Sequence, residues 1–239
     1  MSTEKPSALR EPFMVIEDTP VFFEEDWSAG IGGGLWSTGL AMAQYAKTTH
    51  AKQEIQRLHD RVGRLSVLEL GSGNGLLATC WLALAASYIE KLVISDDADH
   101  LPMIRQTLCA NKHLTDLVTG SCIHVLEHTW GSFEKRDSHQ NSYSDHVRSG
   151  ECKFDLILGS DVAYRPYLYD PLISSLLRYS KPHTISLIGV TMQDTRVDFF
   201  HKLTKAGFTY RRLADHLFEP QFRGTTFGIF VIQKQEGDQ

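Results

Sequence analysis

Apolar and polar positions along this chain follow two alternating rhythms. From Leu65 onward, short apolar runs of strand length alternate with longer stretches of helical character. The pattern predicts strands over residues 65–70, 91–95, 122–126, 154–159 and 184–191, with helices over 76–88, 99–112, 166–180 and 194–206. Regular strand–helix alternation implies a parallel sheet covered by helices on both faces. The last two runs, 208–213 and 225–233, have no helix between them and are expected as an antiparallel hairpin at one edge. Upstream, 13–17 and 21–24 read as two short strands turned at Asp18-Thr19-Pro20. A helix is expected from Trp36 to about Lys47, and a polar, partly helical surface stretch over 49–63. Residues 132–151 break the rhythm. They are rich in Ser, Asp, His and Asn, show no apolar periodicity, and read as a surface insertion that is long for a loop.

The fold expected is therefore α/β, with a doubly wound, Rossmann-like seven-stranded sheet and an antiparallel C-terminal hairpin. Its domain would span 30–239, preceded by a 1–29 extension carrying the short hairpin. At 239 residues, 42% hydrophobic and 22% charged, the chain suits one soluble domain. The net charge of −5 argues against non-specific nucleic-acid binding. Cys80, Cys109, Cys122 and Cys152 lack C-x-x-C spacing and are expected to be reduced and mostly buried. A polar start without a secretory core, and no run of membrane-spanning length, place the expected protein in the cytoplasm, with the nucleus as a second compartment. A monomer is expected.

The candidate chemistry sits where predicted strands end, since doubly wound sheets bind ligands beyond the carboxyl ends of their strands. Glu69-Leu70-Gly71-Ser72-Gly73-Asn74-Gly75-Leu76 reads as strand end, tight turn and helix start. A dinucleotide fingerprint places its third glycine one residue later, and no lysine follows for a phosphate loop. What remains, E-x-G-x-G, is the pattern of turns that bind S-adenosylmethionine (SAM). An acid at the strand end, Glu69, suits a ligand carrying an amino group and a sulfonium charge. Asp96 or Asp97, ending the next strand, suits ribose hydroxyls, or else caps the following helix. Trp130 suits an adenine face or a place in the core. Asp161 and Tyr164 follow the fourth strand of the alternation, where a carboxylate and an aromatic ring suit a cationic amine, or else simply cap and fill a loop. His124 and His128 lack the further spaced ligands of a zinc site, so no metal is expected, and no G-x-S-x-G elbow is present.

These motifs together resemble the seven-β-strand protein-lysine methyltransferases of methyltransferase family sixteen, from about Gly30 to Gln233. Gly34-Leu35-Trp36 with Leu40-Ala41 resembles the segment before that family's first motif. Leu68 to Leu76 matches the motif itself, with Asn74 where threonine is usual. Ser95-Asp96 and Trp130-Gly131 match its strand-two acid and Trp-Gly pair. Asp155 to Tyr164 matches its D-x-x-[YF] stretch, with Ser160 where alanine is common. The resemblance implies SAM as cofactor, contacted by Trp36, Gly71, Ser72, Gly73, Asp96, Trp130 and Ser160. It implies that Asp161 and Tyr164 face a lysine of a protein substrate, with translation factors, ribosomal proteins and chaperones as the classes. Methylation of histidine, an N-terminal amine or a metabolite, or SAM binding without catalysis, are the alternatives. Val190-Thr191-Met192-Gln193-Asp194 departs from the family, which often carries charged residues there.

Overall fold

A computed structural model describes residues 11–118, 123–133 and 142–235. In chain order the elements are β1 (Met14–Ile16), β2 (Thr19–Val21), α1 (Ser37–Tyr45), α2 (Thr49–Val62), β3 (Leu65–Leu70), α3 (Leu76–Ala85), β4 (Ile89–Asp96) and α4 (Leu101–Ala110). Then come α5 (Lys112–Thr115), β5 (Ile123–Glu127), α6 (Tyr143–Arg148), β6 (Phe154–Ser160), α7 (Tyr169–Tyr179), β7 (Ser180–Thr191), α8 (Val197–Lys205), β8 (Phe208–Arg212) and β9 (Phe227–Lys234).

Seven strands form one sheet in the order β5-β4-β3-β6-β7-β9-β8. Strands β3 to β7 pair in parallel, and β9 inserts antiparallel between β7 and β8. The C-terminal hairpin is thus present, with its second strand inside the sheet and its first at the edge. Central β3 is almost wholly buried, as a parallel strand covered on both faces must be. Its residues alternate between two cores. Leu65 and Val67 face the core shared with α1 to α5, while Leu68 and Leu70 face the core shared with α6, α7 and α8. Helix α3 is apolar around its whole circumference because it is enclosed between the sheet, α1 and the β1–β2 hairpin. Among the described residues, no helix is long and apolar enough to cross a membrane.

The structure departs from the sequence reading in several places. The β1–β2 turn falls at Glu17 and Asp18, both at positive φ, so Thr19 and Pro20 belong to the second strand and not to the turn. The hairpin also shares a core with α3, through Ile16, Val21 and Phe23. The helix expected over 99–112 is divided. A 3-10 turn at Ala98–His100 precedes α4, which ends where Asn111 leaves helical geometry. The Asn111 carboxamide accepts from the Phe22 amide at 2.8 Å and donates to the Phe22 carbonyl at 2.7 Å. It thereby clamps the segment leaving β2 onto the domain. The polar stretch 49–63 is a continuous helix, capped by the Thr48 hydroxyl and ended by Gly63.

Part of the 132–151 stretch is ordered packing. Helix α6 starts on a Ser142–Asp145 capping box and buries Val147, with Phe133 and Tyr143 against the same core. Cys80 is buried and Cys152 half-buried, but Cys109 is exposed, on the outward side of α4. Cys122 lies outside the described residues.

Candidate active site

The chain leaves β3 through Gly71, Gly73 and Gly75, whose φ angles are 65°, 61° and 80°. Gly75 is the left-handed residue that starts α3. Two hydrogen bonds lock this turn to the end of β4. The Ser72 amide donates to the Ser95 carbonyl at 3.1 Å, and the Gly73 amide donates to Asp96 Oδ2 at 2.6 Å. Asp96 Oδ1 accepts from the Asp97 amide at 2.7 Å and pairs with His100 Nδ1 at 2.6 Å. Asp97 turns away, accepting from the Thr129 hydroxyl at 3.3 Å. Asp96 is therefore the acid directed at the turn.

Glu69 has a different place from the ligand-facing one expected. It is fully buried, with Oε2 accepting from the Ser72 hydroxyl at 2.6 Å and from the Ala78 amide in the first turn of α3 at 3.2 Å. It braces the turn from beneath, and it takes the Ser72 side chain inward with it. Burial pushes the Glu69 carboxyl up to about 8, against the two hydrogen bonds. In the unfolded chain the same group titrates near the ordinary value of 4.5. Between those values the folded state holds the extra proton, so its contribution to stability is present at low pH and is lost as pH rises toward 8. Glu69→Gln removes this titration. Comparing thermal melts at pH 5 and pH 8, the Tm of the variant relative to the parent chain should rise by roughly 5 °C or more at the higher pH. A Tm difference that does not change with pH would show Glu69 ionised throughout.

A second layer covers the turn. The 3-10 segment Trp27–Gly33 is capped by Asp26 and closed by the Asp26 amide donating to the Gly33 carbonyl at 3.2 Å. The Asn74 carboxamide donates to the Gly34 carbonyl at 2.8 Å and accepts from the Leu76 amide at 3.1 Å. His100 fills the space beside Gly32, where a methyl group would lie 2.5 Å from its Nε2. Trp36 starts α1, half-exposed, with its indole N–H donating to the Ile31 carbonyl at 2.9 Å and its ring edge-on to Trp27.

The third part lies at the end of β6. Asp161 has φ 52°, and its amide donates to the Gly189 carbonyl at 2.9 Å. Its Oδ1 accepts from the Thr191 amide at 3.2 Å and from the Thr191 hydroxyl at 2.9 Å. Oδ2 is enclosed without a full hydrogen bond among the described residues, although the Thr38 amide in the first turn of α1 favours its charged form. Burial raises the carboxyl above its usual range, and the Thr191 donors oppose that rise. Ser160 lies against Gly39 of α1. Val162 and Ala163 are buried, and the Thr195 hydroxyl donates to the Ala163 carbonyl at 2.7 Å. That anchor leaves Tyr164 half-exposed, close enough to Asp96 and Asp97 for their charges to raise its hydroxyl further, after burial itself. Trp130 packs over Gly71, where a methyl group would lie 2.6 Å from its ring.

Of the residues expected at the site, Gly71, Gly73, Asp96 and Trp130 meet directly. Trp36, Ser160, Asp161 and Tyr164 border the same strand ends. Ser72 is present through its backbone, its hydroxyl being taken by Glu69. Sequence reasoning gave no role to His100, Asn74 or Thr191, although Asn74 stands inside the glycine motif and His100 lies four residues beyond Asp96. Among the described residues, no three His, Cys, Asp or Glu side chains gather as a metal site. His124 packs on Tyr143, and His128 is buried against Ser175.

A family model described as lysine methyltransferase matches residues 16–206, most of the chain. Protein N-lysine methyltransferase METTL21A of Xenopus tropicalis is 24% identical over 207 residues, covering 84% of this chain and 82% of that protein. Among solved structures, the glycopeptide N-methyltransferase MtfA shares the fold at TM-score 0.52 and 12% identity, over 77% of this chain and 94% of that one. An O-methyltransferase family protein from Burkholderia thailandensis does so at TM-score 0.51 and 13% identity, over 81% of this chain and 58% of that one. The chain, whose sheet carries the glycine turn braced by Glu69 and tied to Asp96, thus belongs to the lysine methyltransferase family.

Proposed function

We propose that this protein transfers a methyl group from SAM to the side-chain amine of a lysine in a protein substrate. The observation that carries the proposal is the Asp161-Val162-Ala163-Tyr164 loop, which ends β6 beside the glycine turn and holds a carboxylate and a phenol around one edge of the site. The family match and the METTL21A relative support lysine as the acceptor. MtfA, similar in fold, has been crystallised with sinefungin and with S-adenosylhomocysteine, which supports SAM as the donor.

The residues present fit that cofactor. Asp96 Oδ2 accepts one hydrogen bond, from Gly73, and so retains acceptor capacity for a ribose hydroxyl. Trp130 and Trp36 offer half-buried and exposed aromatic faces beside the turn. SAM supplies an electrophilic sulfonium methyl group. The chain itself must deliver a neutral amine in line with that group. At neutral pH, deprotonating a free lysine costs about 4–5 kcal/mol. Screening the amine from water lowers this cost. Tyr164 lines the approach with an aromatic face for the amine. Asp161, buried and held by Thr191, supplies the fixed negative charge that orients it. Catalysis then rests on alignment, without a covalent enzyme intermediate.

The test is incubation of the purified protein with cell lysate and tritiated SAM, followed by mass spectrometry of the labelled band. The expected product is a methylated lysine in one or a few proteins. Label on histidine, on an N-terminal amine or on a metabolite would replace the lysine assignment. SAM binding with no transfer to any component would replace catalysis with a binding role.

A further inference from the structure

We infer that a second ligand site, built for a small organic anion with an apolar body, lies between α2 and the antiparallel side of the sheet. Helix α2 crosses the sheet face without filling it, and a cavity of about 340 Å³ remains beneath it. That size suits a small molecule and not a helix or folded partner. The floor is apolar. Leu187 of β7 lies directly opposite Val231 of β9, and Val231 directly opposite Arg211 of β8, so all three share one face. Ile55 and Leu58 of α2 form the roof.

The charges at this cavity are unbalanced. Arg57, Arg61 and Arg211 line it with a single carboxylate, Glu54, in a chain whose net charge is −5. Arg57 is paired with Glu54. Arg61 Nη2 donates to the His183 carbonyl at 3.1 Å, which ties α2 to β7. The Arg211 side chain, exposed on β8, has no hydrogen bond or ion pair among the described residues, and its guanidinium is left for a ligand. Trp81 of α3 adds a buried aromatic ring to the lining. A cation left unpaired beside an apolar floor and an aromatic ring matches a carboxylate, sulfonate or phosphate monoester on a hydrocarbon or aryl body.

The site is separate from the glycine turn. Leu156, which lines it, is paired with Ile185 in the amino-terminal half of β6, whereas the turn leaves the carboxyl end of β3. The proposal therefore stands whether or not the acceptor is lysine.

Titration of the isotopically labelled full chain with decanoate, in the presence of saturating SAM, tests it through the tryptophan indole N–H resonances. Trp81→Phe assigns the Trp81 signal. The expected result is a saturable shift of the Trp81 resonance by decanoate, with decanol at least about tenfold weaker because it lacks the charge. Arg211→Gln, at an exposed position of an edge strand, should weaken decanoate by about tenfold and leave SAM affinity unchanged. No saturable shift, equal binding of decanol, or an Arg211→Gln chain that binds decanoate as well as the parent would each overturn the assignment.

Discussion

Replacing Gly73 by arginine should eliminate SAM binding and methyl transfer together. Gly73 sits at φ 61°, which costs an L-residue roughly 1–2 kcal/mol before any contact is considered. A Cβ there would lie 2.7 Å from the Gly32 carbonyl oxygen, a backbone atom held by the Asp26–Gly33 closure. The cover over the turn must therefore lift. The Gly73 amide also holds Asp96 Oδ2, so a distorted turn misplaces the acid offered to the ribose. The arginine side chain then extends into the space left. By isothermal titration, SAM affinity should fall by more than about a hundredfold, a loss of at least about 2.7 kcal/mol. The turn lies at the strand ends, outside both apolar cores, so the circular dichroism spectrum should be retained. Gly73→Ala, which brings only the Cβ and the strained φ, should weaken SAM by about tenfold and guards against a variant that fails to fold. Parent-like SAM affinity in Gly73→Arg would place the cofactor elsewhere.

What was legible in the sequence follows from where information is local. The residues of β3 were read in full because a covered parallel strand is a nearly unbroken apolar run, and Gly71 after it marks its end. The glycine spacing and Asp96 were visible for the same reason, each standing at the edge of a strong pattern. The β1–β2 turn was misplaced because Glu17 and Asp18 take positive φ without glycine, and Pro20 then looked like a turn residue. Helix α6 escaped notice because a six-residue helix held by a capping box shows almost no periodicity. The cover over the site was illegible in another sense. Asn74 binding Gly34, His100 packing on Gly32 and Thr191 holding Asp161 each join residues far apart in the chain or on different elements. No pattern within a single window encodes them. Glu69 shows the limit most clearly. Its position at a strand end suggested a ligand contact, and only the packing of α3 revealed that its carboxylate points beneath the turn.

Asp161→Asn should reduce methyl transfer by at least about a hundredfold while SAM affinity stays within about threefold, if the carboxylate orients the acceptor amine as a fixed charge. Asparagine is the informative replacement because it tolerates the left-handed backbone that Asp161 adopts at φ 52°, and its oxygen can still accept from Thr191. What it loses is the charge. Asp161→Ala removes the Thr191 acceptor as well, and should lose transfer at least as severely. The geometry also defines the competing outcome. The Asp161 carboxyl lies within reach of the Thr38 amide in the first turn of α1, and Trp36 is the residue that caps that helix. Should SAM affinity fall in parallel with transfer, Asp161 would be a brace for α1 and its tryptophan, and the substrate charge would have to come from elsewhere. A pH series separates the two further. Burial raises the Asp161 carboxyl, so the parent chain should lose activity on acidification at a pH above that of an ordinary aspartate. The residual activity of Asp161→Asn should lack that acidic limb and keep the alkaline rise of the lysine, because only the first belongs to this carboxylate.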